Sequence, residues 1–305
     1  MCTAIADGRR GIFGRTLDVA EEYGEEALLL PRGCSLPFAG GRHLAIVGVG
    51  RMEGGVPLLF DGMNEKGLWG AALRYPPALW GGGEGEEVPS FALLPLVLGR
   101  CASLGEVRAY LGSIRVTDRP FSAVLPPSPL HFIFADGGGT LVAEPEAAGL
   151  RLWDSAVGVL ANAPSYEAQL SHLAQFSHLG SVCRRPCAAM PAPAAASSAV
   201  GLPGDFSSLS RFVRAAFYLH HLEGEGIPFG LRVLGGVSVP EGAVRTEEGT
   251  HFTAYTSVAD RTGGRYAILP HRALCPRILS LRGGEEGTAP RRYSLAWEEQ
   301  WEEFQ

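Results

Sequence analysis

Residues 1–18 read MCTAIADGRRGIFGRTLD, with a cysteine directly behind the initiator methionine and two charges inside the apolar run that follows. Removal of Met1, which a small second residue allows, makes Cys2 the N-terminus and places a thiol and a free α-amine on one residue. An α-amine has a pKa of roughly 7.7–8.0 and a thiol one of roughly 8.5, so near neutral pH the amine can take the thiol's proton. A nucleophile that carries its own base is a complete catalytic unit. The plain alternative is a small, partly apolar residue starting a strand, and MCTAI taken alone favours it. In GIFGRTLD, Arg15 and Asp18 stand three apart on a predicted strand, which sets them on opposite faces unless the chain bends between them. Charges beside a buried strand are expensive unless each finds a partner.

Composition bounds the rest. The 305 residues suffice for a sizeable core. Hydrophobic residues at 46% and charged ones at 19% describe a soluble globular chain, not a disordered one. The formal net charge is −6, and no basic run or basic–aromatic interleaving is present, which argues against nucleic acid as a partner. Forty-one glycines and 22 prolines suit a sheet-rich architecture with many turns. The N-terminus lacks a basic region followed by an apolar stretch, so no signal peptide is expected. The longest apolar run, FALLPLVLG at 91–99, is too short to span a bilayer and contains Pro95. A cytoplasmic protein without membrane insertion is expected. That compartment argues against disulfides among Cys2, Cys34, Cys101, Cys183, Cys187 and Cys275. Only CRRPC at 183–187 is closely spaced. His172 and His178 upstream make a metal site conceivable, but the spacing matches no standard zinc pattern and PAPAAASSA beyond it reads as a loop, so ordinary thiols are expected.

Strand patterns occupy both ends of the chain. IFGRTLD, ALLLPRG, HLAIVGVG, PLLFDGMN and GLWGAAL are short apolar runs divided by glycine-containing turns. GVPLLFDGMNEKGLWGAAL reads as a hairpin around NEKG, where Asn64 and Gly67 supply turn chemistry. Two helices follow, one after Ser90 and one at Ser103, where SLGE fits a capping box. HFIFADGGGTLVAEPEAAGLRLWDS predicts a three-stranded meander, YEAQLSHLAQF a helix, and SLSRFVRAAFYLHHL at 208–222 an amphipathic helix. HFTAYTSVAD and RYAILP return to strands. With no repeat and no dividing linker, the pattern implies layered α+β packing in a single domain over 1–305.

Polar residues embedded in these runs narrow the reading. Asn162 sits in GVLANAP, where a strand meets a proline, and Arg211 follows LPGDFSSLS at the start of the long helix. Singly, Arg15 with Asp18 reads as an ion pair, Asn162 as a turn former and Arg211 as a solvated charge. In order, Cys2, GRTLD, DGMNEKGL, ANAPSYEAQL, GLPGDFSSLSRFVRAAF and TAYTSVAD resemble the choloylglycine hydrolase family, which holds conjugated bile acid hydrolases and penicillin V acylases among the N-terminal nucleophile (Ntn) hydrolases. The resemblance runs collinearly over nearly the whole chain, and its most specific part is LPGDFSSLSRFVRAAF.

The resemblance implies a four-layer αββα sandwich, two antiparallel sheets between helical layers, and assembly as a homotetramer through a loop that includes CRRPC. It implies amide hydrolysis through a Cys2 thioester, with no metal or organic cofactor and a small amphipathic amide as substrate. Cys2 would be the nucleophile, and Arg15 would favour its thiolate. Asp18 would hold the Cys2 amine, and Asn162 would donate to the oxyanion, a contribution typically of about 2.7–4 kcal/mol. Arg211 would complete the charged cluster. One position departs: LRYP places Arg74 where bile acid hydrolases of the family usually carry Asn and penicillin V acylases Tyr. A backbone N–H there would survive the change, so Arg74 bears on substrate choice. It would bind the leaving group's anion, or else face solvent and pair with Glu21, Glu22 or the glutamates at 84–87. Conjugated bile acids, penicillin V and other N-acyl amides such as acyl-homoserine lactones stand as substrates, against a silent protein that only binds acyl compounds.

Overall fold

The computed structural model of the chain describes residues 1–36, 40–180 and 199–296, so CRRPC and most of the expected assembly loop lie outside the described residues. Two antiparallel sheets face each other. The first runs in the order β12 (Val159–Ala161), β1 (Cys2–Asp7), β2 (Ile12–Val19), β14 (Gly249–Asp260), β15 (Arg265–Pro270) and β16 (Arg277–Ser280), with β13 (Val244–Thr246) paired to the start of β14. The second runs β11 (Gly149–Asp154), β10 (Gly139–Glu146), β9 (Leu130–Asp136), β6 (Trp69–Arg74), β5 (Val56–Asn64), β4 (Ile46–Glu53), β3 (Glu26–Leu30) and β17 (Arg291–Ser294). Phe13 of β2 stacks on Trp69 of β6, ring centroids 5.9 Å apart, which joins the two inner faces. A short parallel pair, β7 (Glu86–Pro89) with β8 (Ile114–Thr117), forms its own two-stranded sheet beside β11.

Helices cover the outer faces. α1 (Ser90–Arg100) and α2 (Leu104–Leu111) pack on the second sheet, while α4 (Ser208–His221) and α5 (Gly226–Gly235) pack on the first, with α3 (Tyr166–Ala174) against α4. The expected αββα sandwich is the fold. The meander is β9–β10–β11, and the NEKG hairpin is β5–β6. Asn64 closes that turn by accepting from Lys66 N and Leu68 N at 3.0 and 3.1 Å, while its Nδ2 donates to the Leu98 and Cys101 carbonyls at the end of α1. The capping box at Ser103 is half formed. Ser103 Oγ takes Glu106 N, but Glu106 reaches back to Ala102 N.

The motif LPGDFSSLSRFVRAAF owes its specificity to the way it starts α4. Ser207 is the N-cap, accepting from Ser210 N. Asp205 accepts from Ser207 N at 2.9 Å and from Ser210 Oγ at 2.6 Å. Arg214, one turn on, returns to the loop through the Pro203 and Asp205 carbonyls and to Gly236 O. The helix start is therefore fixed from both sides, and with it the position of Arg211.

Candidate active site

The register of β1 on β2 sorts the site into two faces. Cys2 stands opposite Leu17 and Ala4 opposite Arg15, while Thr3 stands opposite Thr16. Directly opposed residues share a face and successive residues alternate. Cys2 and Arg15 therefore look toward the second sheet, and Thr3 and Asp18 look toward α4. The sequence expectation of opposite faces for Arg15 and Asp18 is what the strand adopts, and the two do not form an ion pair with each other.

Arg15 is fully buried. Its Nη2 donates to Cys2 Sγ at 2.6 Å, and its Nη1 donates to the Phe60 and Ala72 carbonyls at 2.9 and 2.8 Å. The β5–β6 ladder stops at Asp61 and Ala71, one residue short of those carbonyls. The guanidinium thus fills the opening between two strands and satisfies the acceptors they leave. Burial works against its charge, yet facing Cys2, Tyr255, Asp61 and Asp18 the Arg15 pKa lies above the usual guanidinium value.

Arg211 approaches from the helical layer and is also fully buried, contrary to the reading of a solvated helix charge. Nη1 donates to Cys2 O at 2.6 Å, to Thr3 Oγ1 and to Asp18 Oδ2 at 3.3 Å, and Nη2 donates to Asn162 Oδ1 at 3.1 Å. Burial lowers its pKa, against the pull of Asp18 and Cys2. Asp18 in turn accepts from Thr253 Oγ1 at 2.7 Å and from Thr16 Oγ1 at 3.4 Å.

Asn162 follows β12, which pairs with β1, so the strand order itself brings residue 162 beside residue 2. Its Oδ1 accepts from Cys2 N, and its Nδ2 donates to the Arg74 carbonyl at 2.8 Å. Here Met1 is joined to Cys2, so the Cys2 nitrogen is a peptide N–H and is held by Asn162, while Asp18 pairs through its main chain with Met1 (Asp18 N to Met1 O, 2.8 Å). Of the four residues expected around Cys2, Arg15, Asn162 and Arg211 bond it directly and Asp18 joins through Arg211. Arg74 reaches the cluster only through its backbone carbonyl, on Asn162. Its side chain is half exposed and pairs with Glu248 at 3.1 Å, not with Glu21, Glu22 or the glutamates at 84–87.

Several buried polar groups around the site went unread in the sequence. Asp61 lies between the sheets and accepts hydroxyls from Tyr255, Ser257 and Tyr266. Burial raises its pKa, opposed by Arg15 and those hydroxyls. An aspartate inside PLLFDGMN was the available signal. Glu144 and His131 form a buried pair at 3.1 Å beneath α3, with Tyr75 stacked on the imidazole at 4.5 Å. Burial lowers the His131 pKa against the pull of Glu144.

A thiol at position two, a buried arginine on its sulfur and a side-chain amide beside its nitrogen are groups that an acyl-transferring hydrolase can use. The sequence model for linear amide C–N hydrolases of the choloylglycine hydrolase family matches residues 2–269. A bile salt hydrolase/transferase from Lactiplantibacillus plantarum is 33% identical over 284 residues, covering 87% of this chain and 88% of that protein. Another from Clostridium perfringens is 30% identical over 282 residues, covering 84% and 85%. A crystal structure of a mutant conjugated bile acid hydrolase from Clostridium perfringens superimposes with a TM-score of 0.87 at 26% identity over 97% of both chains. The penicillin V acylase of Agrobacterium tumefaciens shares the fold, with a TM-score of 0.74 at 21% identity over 97% of this chain and 92% of that one. The chain belongs to the choloylglycine hydrolase family of linear amide C–N hydrolases.

Proposed function

We propose that this protein hydrolyses the amide bond of glycine- or taurine-conjugated bile acids, with Cys2 as nucleophile. The observation that carries the reading is Cys2 Sγ at 2.6 Å from the buried Arg15 guanidinium, on a residue whose amine is one peptide bond from release. Once Met1 is removed, the Cys2 amine accepts the thiol proton and sulfur adds to the substrate carbonyl. One Asn162 N–H is committed to Arg74 O, and the second serves the oxyanion. In an antiparallel strand a residue's N–H and C=O point the same way, so the Arg74 N–H shares the side of the carbonyl that Asn162 touches. The C–N bond breaks as the amine returns its proton to the departing glycine or taurine nitrogen. Water then gives a proton to the amine and its oxygen to the thioester, the S–C bond breaks, and the bile acid leaves. The Asp18 main chain, paired with Met1 before processing, loses that partner when Met1 leaves, and in this reading Asp18 then accepts from the new amine.

The test is a turnover panel of glycocholate, taurocholate, penicillin V and an acyl-homoserine lactone on protein shown by mass spectrometry to lack Met1. Conjugated bile acids should be the best substrates, and Cys2→Ala should abolish turnover with the fold retained. Full activity in protein still carrying Met1 would overturn the mechanism, preference for penicillin V would reassign the substrate, and no turnover of any of the four would leave a silent binder.

A further inference from the structure

Beyond Asn162 the chain turns into α3, and Gln169, the fourth residue of that helix, is bonded back onto the turn. Gln169 is fully buried. Its Oε1 accepts from Ala161 N at 3.0 Å, and its Nε2 donates to Asn162 O at 2.7 Å and Pro164 O at 2.8 Å. One side chain thus grips the backbone before, at and after Asn162. The helix that presents it is seated separately. Ser165 caps it, and both oxygens of the buried Glu144 accept from Tyr166 N at 2.9 and 3.0 Å. Glu144 suits that place, because a carboxylate favours the N-terminal end of a helix. The sequence motif ANAPSYEAQL therefore holds two linked parts, the amide at Asn162 and, seven residues on, the amide that fixes it.

We propose that Gln169 is a positioning residue for the reaction: its hydrogen bonds to residues 161, 162 and 164 hold the Asn162 amide where the oxyanion forms. The proposal rests on the reading of Asn162 as the oxyanion donor. Asn162 has three further partners in Cys2 N, Arg211 Nη2 and Arg74 O, and all three lie on the side-chain end. The β12–β1 pairing brings residue 162 beside residue 2, and beyond the strand end the backbone grip of Gln169 sets where that side chain starts. A displacement of about 1 Å at a reacting centre can cost on the order of 10²-fold in rate, while substrate contacts elsewhere are unchanged. Loss of Gln169 should therefore appear in kcat and not in KM.

The experiment is a double-mutant cycle on Met1-free enzyme with Gln169→Met, close in shape and apolar, and Asn162→Ala. Gln169→Glu, which keeps the acceptor for Ala161 N and loses the Nε2 donor, is the second variant should the first fold poorly. Asn162→Ala alone should lower kcat by about 10²–10³-fold. Gln169→Met should lower kcat by about 10–10²-fold with KM within about twofold. The double variant should be no slower than Asn162→Ala, because a residue that acts through Asn162 has nothing left to act on. If the two losses multiply in full, or if Gln169→Met and Gln169→Glu turn over like the natural protein, Gln169 is a scaffold residue and the proposal falls alone. If Asn162→Ala itself keeps its kcat, the oxyanion reading falls and takes the proposal with it.

Discussion

Two groups of charged side chains lie around Cys2, and they meet water in opposite ways. Arg15, Asp18 and Arg211 have no exposed side-chain surface, and each is bonded to backbone or to another polar group of the site. Closer to solvent, Arg74 and Glu248 pair at 3.1 Å with side chains 54% and 57% exposed. The distances are alike and the consequences are not. In the interior a charge acts through a lower effective dielectric and cannot be answered by solvent, so it can bias a thiol or a developing oxyanion strongly. At the surface such a pair is screened by salt and by water, and exposed pairs contribute about 1 kcal/mol or less. Chemistry should sit with the first group and adjustment of affinity with the second.

The sharpest attempt to break that division is Arg15→Leu. It removes the cation from Cys2 Sγ and leaves the Phe60 and Ala72 carbonyls without their donor, a loss of about 1–3 kcal/mol for each buried acceptor. kcat/KM for glycocholate should fall by about 10³-fold, and alkylation of Cys2 by iodoacetamide at pH 7 should slow by about tenfold. Arg15→Lys restores the charge with a single-headed donor and should recover part of the alkylation rate but little of the turnover. Alkylation unchanged in both variants would make Arg15 a filler between β5 and β6 and dissolve the contrast.

Arg211 depends on how α4 begins, which gives a test of intermediate size. Hydrogen bonds from Ser207, then Ser210, hold the Asp205 carboxyl at about 2, below its ordinary 3.8. A depressed carboxylate contributes stability that is present above the unfolded value and is lost as pH falls from there through the folded one. Stability should therefore drop between about pH 4 and pH 2, and amide exchange at Ser210 should rise over the same window. Asp205→Asn keeps an acceptor and removes the titration, so its stability should be flatter across that range. Parallel acid profiles for the two proteins would mean that Asp205 does not hold the helix start.

The parts of the site that were legible in the sequence are those that violate a local pattern. Arg15 and Asp18 interrupt an apolar strand, Asn162 stands at a strand end before proline, and Arg211 follows a capping sequence. Each violation is tolerated because a partner waits in the fold. α5 was illegible for the converse reason. GIPFGLRVLG carries three glycines and a proline and scores poorly as a helix. Yet a Cβ at Gly230 would meet Val258 and Ile12 at 2.7 and 3.0 Å, so the residue that hides the helix is the one that lets it lie against β14 and β2. The partner of Arg74 was illegible because it depends on the β13–β14 turn, which brings in Glu248 from far along the chain. Gln169 and Glu144 sat inside quoted motifs, but their roles lie in hydrogen bonds to backbone, which leave no mark in residue pattern.

The smallest expected effect sharpens the comparison from its weak side. A glycine or taurine leaving group carries an anion close to the scissile amide, and Arg74 stands beside the Asn162 amide with its guanidinium on Glu248. Substrate anion and Glu248 then compete for one guanidinium, which matches carboxylate and sulfonate alike. Glu248→Gln should lower KM for glycocholate and taurocholate, and Arg74→Asn should raise it. An exposed contact of about 1 kcal/mol limits either change to about fivefold. kcat should hold in both variants, because Asn162 bonds the Arg74 backbone and any side chain preserves that carbonyl. Both KM changes should fade at 0.5 M salt, where the Debye length falls to about half its physiological 8 Å. Opposite signs at low salt that converge at high salt would assign the pair to the leaving group. Equal KM values for all three proteins at low salt would make Arg74–Glu248 a surface pair and leave substrate choice to other residues.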